Sequence, residues 1–201
     1  NRLEGIQSLE WLPKVTEAQR AAHEASTRAE GFPAYRITEH DPQGGFRQAA
    51  SNAVCFPVLY VWPGKAESQR LGLNRASVPE YADAMKQAVA TTNPILTRMH
   101  WTNPKTHRSP NWRAFLAVYS NGAAHATPLD REQHLAGFLS SELRMEWLAN
   151  APLSDTNLAG LTNVAIRLMD LHGSPEMIFQ SPNWPGKSRA TNTMYLPFRF
   201  R

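Results

Sequence analysis

The eight residues from Cys55 to Trp62 (CFPVLYVW) hold one proline and seven apolar side chains, five of them aromatic or β-branched. Such a run suits the half-buried pleat of a sheet better than a helix. It is followed by a polar turn, GKAESQ (64–69), then LGLNRAS (71–77), VPEYADAMKQAVATT (78–92) and NPILTRMH (93–100). The order strand, turn, strand, helix, strand makes Cys55 to Arg98 one folding unit. Asn74 stands where its second strand gives way to the helix, and Thr97 lies in its third strand. Apolar walls with a few convergent polar groups are how a mixed sheet forms a small-molecule site.

A chain of 201 residues and 22.5 kDa suits one or two small domains, and 42% hydrophobic residues suffice for a packed core. Mean hydropathy is −0.46, and no apolar run approaches the ~18 residues of a membrane span. The chain starts without Met, so it is expected to be a soluble piece of a longer protein. A net charge of +4 comes from scattered Lys and Arg, with no run of four, which points away from nucleic acid. Cys55 is the only cysteine, which excludes an internal disulfide, and inside an apolar run it reads as a small hydrophobe. The sequence has no Asn-x-Ser/Thr glycosylation site.

Leu3, Ile6, Leu9 and Leu12 recur every three residues and predict an apolar helix stripe that ends at Pro13. Thr16 to Gln19 is a capping box that opens a second helix, rich in Ala, Glu and Arg, closed by Gly31. AYRITEH (34–40) alternates as a half-exposed strand, DPQGG (41–45) is a turn, and FRQAASNA (46–53) is a loop or short strand. Pro57 belongs at a strand start or edge. Tyr81, Ala84, Met85, Ala88 and Val89 share one helical face. TNPKTHRSPN (102–111) and SNGAAHATPLDRE (120–132) are connections around the strand WRAFLAVY (112–119). HLAGFLSSEL (134–143) is a strand whose Gly137 suggests a close approach, and RMEWLANA (144–151) a short amphipathic helix. Strands at 163–171, 176–181 and 193–200 form a smaller terminal unit.

The chain has no Gly-x-Ser-x-Gly elbow, no phosphate-binding glycine loop and no His-Glu-x-x-His pair. The histidines, at 23, 40, 100, 107, 125, 134 and 172, show no local metal spacing. No catalytic residue, metal site or cofactor is therefore assigned.

The segments SLEWLPKVTEAQRAAHEASTRAEGFPAYRITE (8–39), CFPVLYVWP (55–63), LGLNRASVPEYADAM (71–85), NPILTRMH (93–100), FLAVY (115–119) and HLAGFL (134–139), in this order and spacing, resemble a CHASE domain. That is the extracytoplasmic sensor of membrane histidine kinases, diguanylate cyclases and adenylate cyclases. The resemblance covers residues 2 to 145; the last fifty match only in expected position. It implies an α+β fold with stalk helices (1–31), a membrane-distal PAS-like ligand-binding domain (32–143) and a smaller membrane-proximal PAS-like α/β domain (144–201). It also implies flanking transmembrane helices, a periplasmic or extracellular location and a cytoplasmic output domain in the full-length protein.

The best-known CHASE ligands are cytokinins, adenines substituted at N6. Their receptors bind the adenine ring with an Asp where this chain has Asn74. A carboxylate only accepts, whereas an Asn amide offers one acceptor and one donor, which fits adenine N6–H and N7 and also amides and other purines. Asn74 also stands where a helix N-cap would. By position in the family pattern, Leu96 before Thr97 presents its backbone to the ring and Leu116 is an apolar wall. His134 replaces a pocket tyrosine, and Gly137 leaves room for the ligand tail. Phe56 and Tyr60 are expected walls on periodicity alone. The expected partners are a small, adenine-like molecule and a second copy joined through the Leu3–Leu12 stripe. The alternatives are a small hydrolase or transferase with a dispersed active site, and a protein-interaction module without a small ligand.

Overall fold

The computed structural model describes residues 5–41, 43, 45–51, 53–63, 70–98, 112–144, 167–170 and 176–180. The strands are β1 (Ile6–Pro13), β2 (Val15–Thr16), β3 (Thr38–His40), β4 (Phe46–Gln48), β5 (Val54–Cys55), β6 (Tyr60–Trp62), β7 (Ile95–Arg98), β8 (Trp112–Tyr119), β9 (Leu135–Leu143), β10 (Arg167–Asp170) and β11 (Glu176–Gln180). The helices are α1 (Glu17–Ala29), α2 (Pro79–Thr91) and α3 (Pro128–His134). Strand pairing is antiparallel and the class is α+β. Among the described residues, no helix is long and apolar enough to cross a membrane.

The central sheet runs β6-β1-β9-β8-β7. Its second strand corrects the sequence reading: residues 6–13 are not a helix. The three-residue recurrence of Ile6, Leu9 and Leu12 dissolves in a strand, where Ser8, Glu10 and Leu12 face the core and Leu9 and Trp11 face away. Periodicity misled because two of the three inward residues, Ser8 and Glu10, are polar, and the partners of Glu10 come from a turn and a strand far along the chain.

One sheet face carries Leu12, Phe138, Phe115 and Ala117 and is covered by Tyr81, Ala84, Met85 and Ala88 of α2, the spacing predicted for that helix. Pro79 starts α2, and Thr92 ends it in the left-handed conformation, its N–H donating to the Ala88 carbonyl at 2.9 Å. A second core, Val15, Tyr35, Ile37, Ala49 and Cys55, meets the first at Leu71, which packs against both. Helix α1 begins at the expected Thr16–Gln19 capping box. It is tied to residues 35–50: Arg20 Nη2 donates to the Ala49 carbonyl at 2.8 Å, Arg28 Nη1 to the Tyr35 carbonyl at 3.1 Å, and Glu24 accepts the Ile37 N–H at 2.9 Å.

Four further expectations change. The apolar run 55–62 is two short strands parted around Pro57, which cannot donate to a ladder. LGLNRAS is not a strand; it bridges Thr38 and Pro57 once each and closes into a 3-10 turn, Arg75–Ser77. Within the connection 120–132, helix α3 starts on a capping box in which Thr127 and Asp130 exchange bonds at 3.1 Å. Strand β3 covers only the end of 34–40. The hairpin loop 102–111, the helix expected at 144–151 and the strand at 193–200 lie outside the described residues.

The close approach suggested by Gly137 is that of β1. A Cβ on Gly137 would lie 2.2 Å from the Leu12 carbonyl oxygen and 2.9 Å from Pro13 Cα. Since both are backbone atoms of a paired strand, Gly137→Ala is expected to cost about 1–3 kcal/mol by overpacking. Urea denaturation checks this; an unchanged midpoint contradicts the β1–β9 geometry.

Candidate functional site

Asn74 and Arg75, adjacent in the turn before α2, send their side chains into two different polar environments. The main chain there is held on both sides. Asn74 N–H donates to the Thr38 carbonyl at 2.8 Å, Arg75 N–H to the Phe56 carbonyl at 3.0 Å, and Val58 N–H to the Leu73 carbonyl at 3.1 Å. Gly72 makes this threading possible, since a Cβ there would meet the Arg36 carbonyl oxygen at 2.0 Å.

The Asn74 side chain is buried and its Oδ1 accepts the Phe56 N–H at 2.9 Å. A backbone N–H can only donate, so this bond fixes which amide atom is oxygen. Asn74 occupies the N-cap position of the 3-10 turn, but its side chain makes no capping bond. It lines a half-open cavity of about 510 Å³ together with Glu39, His40, Arg47, Ala53, Val54, Ala76 and Ser77. That volume lies within the range of small-ligand sites, but the lining is mostly polar, so the apolar walls expected from the sequence are not found here. Glu39 is buried and pairs with Arg47, Nε donating to Oε1 at 2.9 Å. Cys55, beside the cavity wall in sequence, is buried, and that burial pushes its thiol up; it is packing, not a nucleophile.

Arg75 turns the other way, onto the α2-covered face of the sheet. Its Nε donates to Glu10 Oε2 at 2.9 Å and its Nη2 to Glu10 Oε1, a two-bond pair. Arg113 Nη1 donates to the same Oε2 at 2.7 Å and to Ser140 Oγ at 3.0 Å. Arg70 Nη1 donates to Glu142 Oε2 at 2.9 Å and stands 3.7 Å from Glu10 Oε1. Glu10, Arg113 and Glu142 are 0–1% exposed. Burial pushes the Glu10 carboxyl up, but Arg113 and Arg75 overcome it and hold the group down to about 2. Burial and the neighbouring Arg113 charge lower Arg75.

The structure gathers only some of the sequence-predicted residues. Asn74 lines the cavity. Phe56 gives its N–H to Asn74 and packs edge-on against Phe138 with ring centroids 4.9 Å apart. Thr97 pairs with Arg113 across β7 and β8, on the α2-covered face. Leu96, paired with Ala114, and Leu116, paired with Leu139, point to the opposite face. Tyr60, across from Trp11, is on that face too, 48% exposed, with its hydroxyl donating to Glu30 at 3.1 Å. Gly137 lies against β1, and His134 ends α3 with Nδ1 2.7 Å from the Ala124 carbonyl.

The sequence reading missed the whole ionic cluster. A signal existed: Arg113 sits in phase with Phe115 and Ala117 in β8, and Glu142 with Phe138 and Ser140 in β9. A charge on the apolar beat of a strand calls for a buried counter-charge. Among the described residues, no group of three or more His, Cys, Asp or Glu side chains could hold a metal ion.

The family model of the CHASE domain matches residues 1–179. The chain therefore belongs to the CHASE family, the extracytoplasmic sensing domains of signalling receptors. These are sensor rather than catalytic domains. No curated protein matches the chain.

Two outcomes follow from the cluster. Because Glu10 falls to about 2 in the fold from an ordinary 4.5, its contribution to stability is fully present above pH 4.5 and is lost as pH falls toward 2. Glu10→Gln leaves two guanidiniums short of a counter-ion, costs about 3–5 kcal/mol, and removes that part of the acid dependence. Urea midpoints of both proteins between pH 7 and 3 read both effects.

Proposed function

We propose that this domain senses a small molecule held in the cavity beside Asn74, and that a purine or similar acceptor-rich heterocycle, cytokinins included, is its ligand class. The observation that carries this is the orientation of the Asn74 amide. Its oxygen is engaged by Phe56 N–H at 2.9 Å, so the amide turns a donor toward a ligand. A purine ring nitrogen supplies the matching acceptor. Glu39, on the same cavity wall, supplies an acceptor for an exocyclic N–H. The receptor is a membrane histidine kinase or diguanylate cyclase, with a stalk, a distal and a proximal PAS-like unit, and its output domain outside this chain. The ligand biases output only by its difference in affinity between two receptor states.

Asn74→Asp is the informative variant. It keeps an oxygen for Phe56 N–H and removes the amide donor, whereas Asn74→Leu also strands that N–H at about 1–3 kcal/mol. The wild-type domain is expected to gain thermal stability from adenine or N6-substituted adenines without consuming them. The Asp variant is expected to keep its unliganded melting temperature within a few degrees and to change its affinity at least about tenfold, the worth of one hydrogen bond, weaker for ligands that accept at this point and tighter for ligands that donate there. Equal affinity in both proteins would falsify the cavity assignment, and turnover of a probe would favour the enzyme reading.

A further inference from the structure

Arg75 and Arg113 converge on one carboxylate, yet they use it differently. Arg75 spends its Nε–Nη2 edge on Glu10, the side-on arrangement in which two parallel N–H groups meet two carboxylate oxygens. Arg113 spends only Nη1. Its own Nε and Nη2 have no hydrogen-bond partner among the described residues, although the residue is 0% exposed. Glu142 Oε2 is 3.7 Å from Nη2, too far for a hydrogen bond, and is instead bonded to Arg70. The Ser8 hydroxyl, directly across β1–β9 from Glu142, is also fully buried and without a partner among the described residues. The planar group of Arg113 is fixed in place: its Cζ lies 5.8 Å from the Tyr81 ring centroid, and Nη1 is pinned to Glu10 and Ser140.

Buried donors are nearly always satisfied, and an unsatisfied pair on one rigid edge calls for an occupant. The geometry points to a binding site for a small carboxylate on the Nε–Nη2 edge of Arg113, with the Ser8 hydroxyl beside it and Arg70 at its mouth. A carboxylate fits because it repeats on Arg113 what Glu10 already does on Arg75. Arg70, whose side chain is 25% exposed, is where the cluster meets solvent and where an anion would pass. The site is separate from the Asn74 amide, since Asn74 bonds Phe56 while Arg75 bonds Glu10. It rests on the sensor reading only in taking the ligand to be a small molecule.

Sodium acetate and sodium succinate, titrated against sodium chloride and inorganic phosphate at matched ionic strength, test it by thermal unfolding of the wild-type domain. A saturable rise in melting temperature with the carboxylates, beyond that with chloride and phosphate, is expected. Arg113→Lys keeps the charge but loses the fork, and is expected to weaken the apparent affinity at least tenfold. Should that variant not fold, Ser8→Ala and Arg70→Ala decide. Both are expected to keep the wild-type circular dichroism spectrum and to weaken the carboxylate effect severalfold. No saturable effect, an equal effect with phosphate, or an undiminished effect in the variants that fold overturns the inference. The Asn74→Asp variant separates the two sites: it is expected to respond to acetate as the wild type does, whatever its response to adenine.

Discussion

The Glu10 carboxylate is held between two guanidiniums that reach it from residues 75 and 113. Bringing these charges out of water is costly, and only the close geometry and the accompanying hydrogen bonds recover that cost. The cluster joins β1, β8, β9 and the turn before α2, four pieces scattered over more than a hundred residues of chain. Its main consequence is specificity of placement. A slip of β1 by one residue turns Glu10 to the other sheet face and leaves two buried arginines unpaired. The strand order and the position of the 70–77 turn are thus locked by the same contacts.

That turn is where the polar chemistry is concentrated. Its backbone is clamped between Thr38 on one side and Phe56 to Val58 on the other. Neighbouring side chains therefore point apart, Asn74 to the half-open cavity and Arg75 to the sheet. A sensor must convert occupancy of a site into displacement of a structural element. An element whose two side chains are each bonded to a different part of the domain is well placed to do so. This coupling is a property of the turn as a unit: Phe56 accepts from Arg75 through its carbonyl and donates to Asn74 through its N–H.

The opposite sheet face differs in kind. Tyr60, Trp62 and Leu139 are substantially exposed there, and Leu96 and Leu116 share that face. Family position groups Leu96 and Leu116 with Asn74 as site residues, while the pleat of the sheet parts their side chains from it. Sequence position could not reveal this, because the face a strand residue takes depends on register.

Local rules were sufficient wherever an element's identity is written in neighbouring residues. The α1 capping box at Thr16, the apolar face of α2, the turn at Asp41 and the strand of 112–119 were all legible, since each depends on contacts within a few positions. Family pattern was legible too, through the order of segments from Ser8 to Leu139. The strand at 6–13, the parting of 55–62 at Pro57, the 3-10 turn at Arg75 and the ionic cluster were not. Each depends on partners about twenty to a hundred and thirty residues away, and a charge on the inward beat of a strand looks like solvent-facing polarity until its counter-ion is in place. The amino-acid order alone determined the class and the segments; tertiary structure decided which charges were buried together, because burial is a property of the assembled sheet and not of any stretch of chain.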